Sequence, residues 1–170
     1  MEVLKLATEW AKAEVFSTRF FILFAILFLI ASIGFWQLGK TEMARAYIIP
    51  SLVAGVLLLT IGLGLFYTNK SRINQFETAY HKDASAFVAS EFNRIEGTLN
   101  EYRTIVFTAI PLIITACALV IIFVKSPVWR ASMITTIAMM IVILLVDGTA
   151  HARIETYKKQ LEQVDKGQIK

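Results

Sequence analysis

Residues 128–146 carry no charge beyond Arg130, and the chain then turns abruptly polar through Asp147, His151 and Arg153. As a helix rising about 1.5 Å per residue, a run of this length matches the hydrocarbon thickness of a bilayer and exceeds what a small soluble core can hide. Three similar runs precede it at 20–38, 47–67 and 105–124. With 56% apolar and only 18% charged residues gathered in such blocks, the expectation is an all-α integral membrane protein. Its four transmembrane helices form two hairpins within a single domain over 1–170. Extensions at 2–19, 68–104 and 150–166 lengthen them into a cytoplasmic helical bundle.

The extensions are amphipathic. Val3, Leu6, Trp10, Ala13, Ser17 and Phe20 recur three and four residues apart, with Glu2, Lys5, Glu9 and Lys12 elsewhere around the helix. The acids of this leader, with no small-residue cleavage site after the first apolar run, predict a retained span rather than a signal peptide. Val88, Phe92, Ile95, Leu99 and Tyr102 form a coiled-coil-like seam, and Ala150, Ile154, Tyr157, Leu161 and Val164 form another. Seams of this kind must pack on each other, on a second copy or on a partner. Between them, His81-Lys82-Asp83 reads as the turn. Pro50 falls in the first turns of its helix, where a missing N–H costs little, while Pro111 predicts a kink near Phe107. The tail from Gly167 onward is expected to fray.

Charge fixes the expected orientation. Of the 17 Lys and Arg residues, only Lys40, Arg45, Lys125 and Arg130 adjoin the two short connections, which also lie beside Trp36 and Trp129. The positive-inside rule therefore puts both termini and the central hairpin in the cytoplasm of a cell membrane, here read as a bacterial inner membrane. Landmarks correspond at an offset of about 85 residues, Arg19 with Arg103 and Arg45 with Arg130, which suggests two parallel repeats.

Candidate sites are few. Asp147 directly follows a span, and His151, four residues on, shares its helix face. Together they offer either an interfacial pair bonded to a cation such as Arg103 or Arg19, or a proton relay for a small channel or transporter. Ser51, Gly55 and Gly62 share a face where another helix backbone can approach, and self-association through it is expected. Arg19, Lys70, Arg72, Arg103 and Arg153 form a basic collar suited to anionic lipid, although snorkelling alone explains such a ring. Single Cys117, in an apolar run, excludes an intrachain disulfide.

No nucleophile elbow or phosphate loop occurs, and neither cofactor nor metal is expected. The basic residues are scattered without a groove, which argues against nucleic acid. The expected function is that of a non-catalytic structural or accessory subunit in a homo- or hetero-oligomeric membrane assembly, meeting its partner through the cytoplasmic extensions. The alternatives are the transporter already described and, more weakly, a lipid-acting membrane enzyme.

Overall fold

The computed structural model describes residues 1–165 and 167, Asp165 by its backbone alone, and is 94% helix with no strand among them. The elements are α1 (Glu2–Leu38), a short α2 (Glu42–Ala46), α3 (Ile48–Lys82), α4 (Ala84–Glu101), a π-helical segment (Tyr102–Ala109), α5 (Ile110–Phe123) and α6 (Pro127–Asp165). Since α4, the π segment and α5 run on as one rod, Ala84–Phe123, the architecture is four long helices side by side. Each is long and apolar enough to cross a membrane. Residue 166 of the tail extension and the fraying expected past Gly167 lie outside the described residues.

The ends are set by short polar side chains. Asp83 is extended (φ −161°, ψ 102°), which stops α3, and its Oδ1 accepts the Ala86 N–H at 2.9 Å to open α4. At the other end Thr41 Oγ1 accepts from Ala44 N at 3.1 Å, giving the connection a turn of helix. Ser32 Oγ donates to the Ile48 carbonyl at 2.8 Å and pins α1 to the start of α3.

The stretch around Phe107, where Pro111 is expected to disturb the helix, is irregular. The backbone widens to π geometry over the eight residues before α5, and Pro111 enters as the second residue of that helix. Thr108 Oγ1 donates to Arg103 O at 2.9 Å, five residues back, adding a side-chain donor inside the wide turns. Disturbance from the missing proline N–H is thus spread along the rod.

Two cores stack end to end. In the apolar half, Phe21 and Ala25 of α1 meet Ala54 and Leu58 of α3 and Met139, Val142 and Val146 of α6. In the polar half, Ala7 and Trp10 of α1, Phe76 of α3, Phe87 and Ile95 of α4, and Ile154, Tyr157 and Leu161 of α6 form the second core. The two seams therefore close on each other and on α1 within one chain. The buried line on α4 is Phe87, Glu91 and Ile95, with Val88, Phe92, Leu99 and Tyr102 at its edge, a rotation from the expected stripe that brings a carboxylate inside.

Gly55 and Gly62 face α1 of the same chain. A Cβ on Gly62 would stand 3.0 Å from Phe21 Cβ, and one on Gly55 would stand 2.8 Å from Leu29 Cγ. The small-residue face, with buried Ser51, is thus already filled inside the hairpin. The π segment and α5 pack on α6 rather than on α3, so the second hairpin joins the first mainly through α6.

Such a closed polar core predicts slow amide exchange over residues 88–99 in detergent, protected to a large fraction of the global stability. Exchange complete within seconds across that stretch would show that α4 is not docked.

Candidate functional site

Charged side chains turn inward where the polar half begins. Glu91 and Arg94 sit three apart on α4, a spacing that lets the guanidinium fork onto the carboxylate: Nε donates to Oε1 at 3.0 Å and Nη2 to Oε2 at 2.7 Å. Glu91 is only 3% exposed. Tyr157 of α6 donates its hydroxyl to the same Oε2 at 2.8 Å. Burial and the adjacent carboxylate both push the Tyr157 phenol well above its ordinary pKa, which keeps it a neutral donor. Its ring stacks on Trp10 of α1 at 5.7 Å, and the Arg94 guanidinium lies 4.1 Å from the Trp10 ring centre. Three helices are thereby joined through one buried ion pair.

A second pair crosses from α1 to α6, where Arg153 Nε donates to Glu14 Oε1 at 3.1 Å. Burial raises the Glu14 pKa in spite of Arg153, so desolvation outweighs the ion pair there. The fold therefore holds this proton to higher pH than an open chain does. Its stabilising contribution is full at pH below the ordinary carboxylate value and is lost as pH rises through the raised one.

Beside these pairs lies a cavity of about 290 Å³ at the junction of the two halves. Arg72 and Arg94 line it together with the carboxylates of Glu14, Glu101 and Asp147, and Leu65 and Ile105 form its apolar flank. Arg72 donates Nη1 to Asn69 Oδ1 at 3.0 Å and has no carboxylate within ion-pair distance among the described residues. Burial, and then the Arg94 charge, lower its pKa. Trp10 Nε1, Arg94 Nη1 and Arg153 Nη2 are buried donors with no acceptor.

No family model, curated protein or solved structure matches this chain. Function must therefore be read from these side chains. They offer fixed donors and carboxylates around a small cavity, which is the chemistry of binding. No group of three metal-ligating side chains occurs among the described residues.

Asp147 and His151 share a helix face without meeting. Asp147 lines the cavity and makes neither ion pair nor hydrogen bond among the described residues, so the expected bond to Arg103 or Arg19 is not formed. His151 instead sets its ring edge-on to Phe107 at 5.0 Å and Tyr102 at 5.7 Å, with Nε2 3.9 Å from Glu155. The collar also divides. Arg72 and Arg153 turn inward, while Arg103 is exposed and Arg19 and Lys70 cover their own helix's Phe16 and Phe66 at 5.4 and 5.7 Å. His81 stays exposed at the far end beside Tyr80.

Glu14, Glu91 and Arg94 were absent from the candidate sites read in the sequence. The available signal was Glu91 itself, an acid four residues from both Phe87 and Ile95 on an otherwise apolar line.

Proposed function

We propose that this chain is a non-catalytic multi-pass membrane protein, a structural or accessory subunit whose termini and polar bundle lie in the cytoplasm. The distribution of exposed apolar surface carries this reading. Met1 aside, every exposed large apolar side chain falls within residues 16–67 and 105–145, the stretches read as spans and their margins. Lipid is the environment in which such a belt costs nothing. The Lys and Arg asymmetry supports the orientation.

The polar bundle has a closed core, and a partly apolar groove of about 480 Å³ lies on it among Val3, Tyr80, Val88 and Phe92. A groove at the end of a rigid bundle suits docking of a partner helix. Its distance from the junction leaves the spans free to meet lipid or other subunits. Both features favour an assembly role over bond-making chemistry, and the unjoined Asp147 and His151 weaken the relay alternative.

Two measurements test the reading together. In a Cys117→Ser background, an impermeant maleimide added to intact cells should label Lys40→Cys and spare His81→Cys. Extraction in native membrane discs should give a mass above the single chain's 19.1 kDa, reduced by Phe92→Asp. Reversed labelling would overturn the orientation, and a single-copy mass without partner would overturn the subunit reading.

A further inference from the structure

We infer that the junction cavity is a headgroup site for a phospholipid carrying both a phosphate and a primary ammonium, the chemistry of phosphatidylethanolamine. This rests on the membrane reading above and adds to it a defined ligand. Position is the first reason. Leu65 and Ile105, 40% and 55% exposed, flank the cavity on the apolar side, while Asn69, Arg72 and Thr98 line it on the polar side. It therefore lies at headgroup depth, between α3 and a π segment that packs on α6 instead. At about 290 Å³ it is at the small end of ligand cavities, enough for a headgroup whose acyl chains remain along Leu65 and Ile105.

Charge is the second reason. Arg94 is spent on Glu91, and Glu14 on Arg153, but Arg72 and the carboxylates of Asp147 and Glu101 are left without ionic partners among the described residues on the same cavity. A half-buried guanidinium with no carboxylate calls for an anionic oxygen, which a phosphate supplies with bidentate geometry. The Asp147 and Glu101 carboxylates, with no cation of their own, call for one that carries N–H donors. One zwitterionic headgroup answers both. Trp10, which also lines the cavity, carries a buried indole N–H with no acceptor.

The same groups disfavour the two other common headgroups. A purely anionic one would bring its charge against Glu14 and Asp147, at a like-charge cost. Choline lacks N–H donors for Asp147 and depends on open aromatic faces. Here Trp10 is already stacked by Tyr157 and covered by Arg94, and the Tyr102 ring meets His151. The basic collar thus yields a selective site only at Arg72, where the cation is held inward against the cavity.

The test uses the full chain purified in detergent and titrated with phosphatidylethanolamine, phosphatidylcholine or phosphatidylglycerol of identical acyl chains. Bound lipid is counted by native mass spectrometry. The ethanolamine lipid should bind about tenfold more tightly than either other, the worth of one charge-assisted hydrogen bond made or lost. Arg72→Gln and Asp147→Asn should each remove that preference, while Arg103→Gln on the exposed collar should keep it. Equal binding of all three lipids, or tighter phosphatidylglycerol binding, in the wild-type chain would overturn the inference without any variant having to fold. Alkaline carbonate washing of native membranes separates the two levels. Protein released by the wash would defeat the membrane reading, whereas retained protein lacking the preference would defeat only the headgroup site.

Discussion

Glu91→Gln should lower the stability of the polar bundle by roughly 3–5 kcal/mol, the usual cost of removing one partner from a buried ion pair. The amide keeps the shape of the carboxylate and cancels its charge, so Arg94 is left ionised against Trp10 without its hydrogen-bonded counter-charge. Tyr157 also loses the charged acceptor of its 2.8 Å hydrogen bond. The penalty comes from the stranded cation, so removing both charges should recover most of it. The triple variant Glu91→Leu, Arg94→Met, Tyr157→Phe should unfold within about 1 kcal/mol of wild type or above it, because apolar packing replaces a pair whose attraction mainly offset its own desolvation. Unfolding followed by circular dichroism in detergent, assembled as a mutant cycle, reads the coupling directly. A loss below about 1 kcal/mol for Glu91→Gln alone would mean that water screens the pair as it does at a surface.

That pair marks the limit of what the sequence discloses. The four long helices are legible because span length and amphipathic period are local properties, written in consecutive residues. The Asp83 turn is legible because a short polar side chain can cap the helix that follows. The face of Ser51, Gly55 and Gly62 is legible as a face, but its partner is α1 of the same chain, and spacing on one helix says nothing of which helix approaches. Glu91 and Arg94 look like a solvated i,i+3 pair until Trp10 and Tyr157 arrive from two other helices. Glu14 and Arg153 are 139 residues apart, and no local pattern links them.

Asp147 shows the same limit from the opposite direction. Its i,i+4 spacing to His151 is real, yet the two side chains take different neighbours, aromatic rings for one and a charged cavity for the other. The two halves set in correspondence by the suggested repeat differ in their helices and contacts. α1 is continuous where its counterpart contains a π segment, and the α1–α3 contact is far more extensive than that of α5 with α6.

Gly62→Val should destabilise the apolar half. Even the Cβ of alanine would stand 3.0 Å from both Phe21 Cβ and Ile22 Cγ1 and 3.3 Å from Ile22 N. The Phe21 Cβ and the Ile22 nitrogen are fixed to the backbone, so rotation of a side chain cannot clear them, and α1 itself must shift. Two further methyl groups enlarge that shift, and overpacking of this kind costs about 1–3 kcal/mol. Gly64, which has nothing within 4 Å of its built Cβ, is the control on the same helix. Gly64→Ala should be neutral or stabilising by up to about 1 kcal/mol through helix propensity. Thermal unfolding measured beside light scattering separates packing within the chain from packing between chains. A lower unfolding temperature with oligomer mass unchanged is the expected result for Gly62→Val. A smaller oligomer that unfolds at the wild-type temperature would show instead that this face joins two copies.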